Sequence, residues 1–201
     1  MSHSMHQRRA LPAAGQEGFA LLEVLVSIVI LLFGLLGLAG VSSRANLAEM
    51  ESYQRIQAVQ LAQDMADRLN ANRKVATCYS NGTTGTQVGS SANPIPACTA
   101  GDVLQQTQAV ADLTAWGDLI KGQAEIQSGN KVGAMIGAVG CVTLDDAVNN
   151  VYLIAVSWQG LAKTAAPTVN SGNPFPCGNG AYGDEKLHRV VTTKVRIGAL
   201  S

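Results

Sequence analysis

The strongest pattern along the chain is a run of apolar residues near its start. From Phe19 to Val41 only Glu23 and Ser27 are polar. At ~1.5 Å per residue a helix over these positions spans roughly 34 Å, enough to cross a hydrocarbon core of ~30 Å. No later stretch is apolar for as long, so the pattern predicts one membrane segment at most. Beyond it the pattern becomes one-sided. Residues 42–74 hold no Gly or Pro, and Leu47, Met50, Tyr53, Ile56, Val59, Met65 and Leu69 recur at or near three-residue steps. That is an amphipathic stripe drifting slowly around a helix. Glu51–Arg55 and Asp64–Arg68 fall at i,i+4 on its wet side, a spacing that adds a few tenths of a kcal/mol per pair. A single helix is therefore expected from Phe19 to about Lys74, on the order of 80 Å long.

The period then changes. Residues 79–101 are mostly Gly, Ser, Thr, Asn and Pro and read as a surface loop. Asp102 is placed to cap a second helix running to about Gly122, with Val103, Val110, Leu113, Trp116 and Ile120 near one face. From there β signals dominate, with strands expected at Ala138–Leu144, Val151–Trp158 and His188–Ile197 and a weaker one near Glu125–Val132. Asp145-Asp146 and Asn149-Asn150 flank a turn, and Thr164–Gly183 is a long Pro/Gly/Asn loop. A helix followed by an antiparallel sheet gives an α+β class. The organisation expected is a leader at 1–18, a membrane helix at 19–41, its amphipathic continuation at 42–74, and a head at 75–201.

Composition narrows the function. Fourteen basic and fourteen acidic residues balance to a formal charge of zero, and no basic run exceeds the pairs Arg8-Arg9 and Arg73-Lys74. Nucleic-acid binding is set aside, because no field recruits a polyanion. The arginines before the apolar run suit a cytoplasmic N-terminus with everything after the run exported. A conventional cleaved signal fits less well, because the run exceeds ~7–15 residues and contains a glutamate. The four cysteines, Cys78, Cys98, Cys141 and Cys177, form no C-x-x-C pair and no zinc pattern. In an oxidising compartment they read as two disulfides. Three pairings are open, and Cys78–Cys98 with Cys141–Cys177 is favoured because each closes one polar loop. Each bridge is expected to contribute about 3–4 kcal/mol.

Catalytic patterns are weak. Gly178–Gly183 matches G-x-G-x-x-G but follows a Pro-rich loop and precedes a strand, so no helix N-terminus is placed to receive a phosphate. His188 heads a strand. Asp145-Asp146 lacks the alternating ligand spacing of a calcium loop. Asn81-Gly-Thr83 is a glycosylation sequon. No catalytic residue, metal or cofactor is expected.

Glu23 is the unusual residue. A carboxylate near a membrane-helix centre costs ~2.5–3.5 kcal/mol on insertion scales. It can snorkel to the nearby interface, or it can meet a cation at its own depth. No cation lies between Glu17 and Arg44, but a cut after Gly18 creates one, the α-amino group of Phe19. That amine in one copy can pair with the carboxylate of a neighbour, where low dielectric strengthens the contact.

Gly18-Phe19 followed by Ala-Leu-Leu-Glu-Val-Leu-Val resembles the class III leader of type IV pilins and pseudopilins, with its short basic leader, Gly–Phe junction, mature-position-five Glu and apolar run. The resemblance implies a long helix packed on a small antiparallel sheet, cleavage by prepilin peptidase between Gly18 and Phe19, N-methylation of Phe19, and Glu23 guiding subunits into a helical filament. The continuation VSIVILLFGLLGLAG, Asp112–Trp116, YLIAVSWQG and RVVTTKVRI are similar to PilV-type minor pilins. That narrower likeness implies priming of pilus assembly and a tip complex with other minor pilins, the major pilin and a tip adhesin on an inner-membrane platform, hence adhesion and twitching motility. A minor pseudopilin of type II secretion is the alternative, and an anchored domain with an incidental Glu23 a third. The leader ends Gln-Glu-Gly without basic residues beside the glycine, which implies slower cleavage at the same place. Gly34, Gly37 and Gly40 suit either close helix packing or loosening of the helix in a filament. Loops Tyr79–Gly101 and Thr164–Gly183 are the expected partner contacts.

Overall fold

The computed structural model describes residues 17–122, 126–128, 130–131 and 135–198. The chain divides into two compact units, Met1–Asn46 and Leu47–Ser201. Helix α1 (Glu17–Ala71) begins in the first and ends in the second. In the first unit every described side chain is exposed. The helix is long and apolar enough to cross a membrane. Two of its serines bond within the helix: Ser27 Oγ donates to the carbonyl of Glu23 at 2.7 Å, and Ser43 Oγ to that of Ala39 at 3.1 Å.

The second unit is α+β. A four-stranded antiparallel sheet has the order β1 (Thr86–Gly89), β4 (Ile136–Asp146), β5 (Val151–Gln159), β6 (His188–Arg196). The second half of α1 and α2 (Val103–Ile120) cover one face of it. Their Ala58, Ala62, Met65, Leu69, Leu113 and Trp116 form one core with Val142, Tyr152, Ile154 and Val156. On the opposite face Val139, Cys141 and Ala155 pack against Phe175 and Cys177 of the long loop. The bridges join Cys78 to Cys98, with Cα atoms 5.1 Å apart, and Cys141 to Cys177, at 6.0 Å.

Local chemistry explains the second helix. Asp102 accepts from the Gln105 N–H at 2.9 Å while Gln105 Oε1 accepts from the Asp102 N–H at 3.2 Å, a reciprocal capping box. Its buried face is Ala109, Asp112, Leu113, Trp116, Gly117 and Ile120; Val103 and Val110, expected on that face, are exposed. The face is rotated because Asp112 is needed inside. Its carboxylate accepts from the Tyr79 hydroxyl, from Arg68 Nη1 at 3.2 Å and from Gln108 Nε2 at 2.9 Å. Trp116 lies flat on the sheet because Gly140 has no side chain; a Cβ there would collide with the Trp116 ring and Ile120.

Four further expectations are corrected. The α-helix ends at Ala71, not near Lys74, and a 3-10 segment (Arg73–Tyr79) follows. Asn72 leaves helical geometry as its amide donates to the Gln105 carbonyl at 2.9 Å. The face of α1 that packs is Gln54, Ala58, Ala62, Met65 and Leu69, whereas Leu47, Met50, Tyr53 and Ile56 of the predicted stripe are exposed. Small alanines admit the sheet closely, and Gln54 Oε1 accepts from Trp158 Nε1 at 3.2 Å. Residues 79–101 are not all loop, since β1 lies within them and pairs Thr86 with Val142 through Gly89 with Val139. Of Glu125–Val132, the described residues form two short paired strands, β2 (Ile126–Gln127) and β3 (Asn130–Lys131), with Ser128 at φ 52°; Glu125, Gly129 and Val132 lie outside the described residues.

Asp112→Ala is expected to destabilise the protein by about 2–3 kcal/mol, because the buried Tyr79 hydroxyl loses its carboxylate acceptor and Arg68 loses one of its two. Denaturant unfolding of the full chain in detergent checks this, and Asp112→Asn should retain part of the loss-free stability.

Candidate functional site

Two regions carry the candidate chemistry, and each is described separately. The first is the start of α1. Gly18 and Phe19 have helical backbone; their side chains, and the leader up to residue 16, lie outside the described residues. Glu23 is exposed on the helix, and among the described residues no cation pairs with its carboxylate. Gly34, Gly37 and Gly40 have open space where a Cβ would stand. The helix thus presents an apolar cylinder interrupted by one carboxylate and a line of shallow notches.

The second region is the head. Glu51 is half-buried and turns toward the sheet end instead of the expected partner Arg55. Its Oε1 accepts from the N–H groups of Leu161 and Ala162 and from Arg189 Nη2, each at 3.1 Å. Arg189 also donates to the carbonyls of Ala162 and, at 3.1 Å, Lys186. This latch ties α1 to the end of the sheet beside a cleft of about 290 Å³ lined by Glu51, Ser52, Arg55, Trp158 and Arg189. The predicted Asp64–Arg68 pair is present, at 2.8 Å.

Thr164–Gly183, expected to be exposed, is partly built into the fold. Phe175, Cys177 and Tyr182 are buried, and the Tyr182 and Ser157 hydroxyls are 2.9 Å apart. Gly178, at φ +79°, sits against Ser157 and Tyr182 where a Cβ would clash, so the G-x-G-x-x-G glycines serve packing and turns. His188 is buried, with Nδ1 2.8 Å from Glu185 Oε2. The Gly180 N–H, 2.7 Å from Glu185 Oε1, and the His188 ring hold the Glu185 carboxyl below its usual range. Asp146 accepts from the N–H groups of Val148 and Asn149 and from the Asn149 amide. These bonds, led by the Asn149 side chain, lower its pKa. The pair Asp145-Asp146 is therefore used as a turn clamp and as the 2.7 Å partner of Lys194. Asn81 and Thr83 of the sequon are exposed.

Sequence reasoning missed Asp112, Tyr79, Glu51 and Arg189 as members of clusters. Asp112 on an otherwise apolar helix face was the one available signal; the others meet only through the fold.

Residues 41–112 match a family described as Tt1218-like: Type IV pilin Tt1218. The matched segment comprises the second half of α1, the 3-10 segment, β1 and part of α2, roughly a third of the chain. It begins where the apolar run ends, so the match and the Gly18–Ser27 motif are independent observations. The chain matches no curated protein and no solved structure. The class defined by fold and match is an α+β chain with a type IV pilin-like segment and one apolar helix, which fits a membrane-anchored single-pass pilin.

Burial sets a testable alkaline limit. Desolvation first, then the hydrogen bond to Asp112, raises the Tyr79 pKa far above the ordinary 10.0. Desolvation pushes Tyr182 up to about 12. In the unfolded chain both phenols ionise near 10 while the folded chain keeps its protons, so stability is fully present below pH 10 and falls as pH rises beyond it. The melting temperature should be flat from pH 7 to 9 and drop above 10, less steeply in Tyr182→Phe.

Proposed function

We propose that the chain is a type IV pilin subunit, and specifically a PilV-type minor pilin that primes pilus assembly and joins the tip complex. The observation that carries the reading is Gly18-Phe19 with Glu23 at the start of an apolar helix that runs directly into the pilin-like segment. Prepilin peptidase cuts after Gly18, and Phe19 becomes the N-methylated first residue. The new amine pairs with Glu23 of a neighbouring subunit, which offsets the cost of a carboxylate in the membrane and fixes helix register. Residues 19–41 anchor the subunit in the inner membrane, 42–74 continue the helix, and the head from about residue 75 stands in the periplasm until the subunit enters the fibre. Its partners in this reading are the peptidase, the major pilin, other minor pilins, the assembly platform and a tip adhesin.

The exposed stripe Leu47, Met50, Tyr53 and Ile56 supports the proposal, because it leaves one side of α1 apolar and uncovered in the single chain. So does the match to a type IV pilin family, which favours the pilus over a type II secretion pseudopilus. Intact mass of the protein from membranes with and without prepilin peptidase is the test. The expected result is a chain beginning at methylated Phe19 in the first case and the full leader in the second. Retention of residues 1–18 in both would sink the reading, and Glu23 would then be a snorkelling charge on a plain anchor. Gene deletion that abolishes twitching and spares secretion is expected for a pilus subunit; the reverse outcome assigns the pseudopilus.

A further inference from the structure

Strand β6 ends the sheet, and its outer edge is uncovered. Ile197 N–H bonds to the Asn150 carbonyl at 3.0 Å and Gly160 N–H to the Leu187 carbonyl at 2.7 Å, which fixes the phase of the ladder. Odd-numbered residues of β6 bond to β5, and Val190, Thr192, Lys194 and Arg196 aim their N–H and C=O groups away from it. Among the described residues these outward groups have no partner. Thr164 N–H, on the Lys186 carbonyl, covers only the approach to the strand.

Among the described residues, proline, bulges and a covering segment, three of the devices that guard such an edge, are absent from β6. It contains no Pro or Gly and pairs with β5 without a register shift, whereas β4 against β5 has two. Five of its residues are β-branched Val or Thr. Two of its cations are already paired within the fold: Arg189 bonds Glu51 at 3.1 Å, and Lys194 reaches across β5 to Asp145 on β4 at 2.7 Å.

We infer that this edge pairs with β6 of a second copy of the chain. An antiparallel pairing centred on Thr192 sets Thr192 opposite Thr192, Val190 opposite Lys194 and His188 opposite Arg196. The outward groups of both strands then share one phase and close a ladder, and no like charges stand directly opposite. A register centred on Lys194 sets two ammonium groups face to face and is excluded. Because Arg189 and Lys194 each already face a carboxylate, the edge does not call for an acidic partner and accepts a β-branched strand such as itself. A short edge buries less than the ~800 Å² per partner of a stable dimer, so the contact relies on tethering. Two copies anchored in one membrane by their apolar helices have the raised effective concentration it needs.

The test is Thr192→Cys in the full-length chain in membranes under mild oxidation. The four native cysteines are already bridged, so the introduced thiol stands alone. A covalent homodimer is expected, about tenfold more than from Thr107→Cys on the exposed face of α2, as tethered edge pairing requires. Adding Val190→Pro should abolish it with the melting temperature kept, because that N–H serves the outer edge and not the β5 ladder. Should Val190→Pro lower the melting temperature, Lys194→Pro replaces it. Equal crosslinking from Thr107→Cys, persistence of the dimer with proline in the edge, or crosslinking to a different protein each overturns the assignment. The outcome is independent of leader cleavage, so this inference and the pilin reading fail separately.

Discussion

The head depends on covering both faces of a small sheet. Strand β4 over Ala138–Val142 and strand β5 over Ile154–Trp158 are buried on both sides, although the sheet has only four strands and one of them is four residues long. A chain this size has no second layer of helices to spare. It covers one face with α1 and α2, which are amphipathic and bring their own hydrogen bonds. The other face receives a loop with little regular structure, and Phe175 and Cys177 lie in it as the apolar lid. Such a lid carries a high conformational entropy when free. The Cys141–Cys177 bridge fixes it to the strand beneath, and the Ser157–Tyr182 and His188–Glu185 contacts pin its return.

Covering the first face places polar groups inside, and each is answered. Trp116 Nε1 donates to the Leu61 carbonyl at 2.8 Å and Trp158 Nε1 to Gln54, so the two largest rings in the core also orient α1. Asp112 gathers a tyrosine, an arginine and a glutamine from three elements. Buried polar groups of this kind add modest net stability but penalise wrong arrangements heavily, because a shifted helix leaves several unpaired at once. They set the rotation of both helices where apolar contact alone is tolerant.

The functional reading follows from what remains outside. Among the described residues the apolar half of α1 has no internal partner for Glu23, the stripe Leu47, Met50, Tyr53 and Ile56 is exposed, and the outer edge of β6 is unpaired. A monomer in water has reason to avoid all three. A subunit anchored beside others of its kind can satisfy each by contact: the carboxylate with an amine, the stripe with another helix, and the edge with another strand. The proposed assembly role thus accounts for the three features with one physical cause.

Much of this was legible in the chain. Apolar length gave α1, strand-rich composition gave β4, β5 and β6, and Asp102 gave the start of α2, since these depend on residues close in sequence. β1 was not legible: Thr-Gln-Val-Gly is too short to show a period, and only β4 makes it a strand. The rotation of α1 and α2 was misread for a related reason. Periodicity finds the most apolar face, but packing chose the face with Ala58, Ala62 and Asp112, where small volume and a buried acceptor matter more than hydropathy. The Glu51–Arg189 latch joins residues far apart along the chain, and no local pattern announces it. Local composition was enough for the long apolar helix, the strand-rich head and the Gly18–Glu23 motif, because each rests on residues close along the chain. Tertiary structure alone decided which faces are covered, which charges meet and which edge stays open, because those depend on the closing of the sheet.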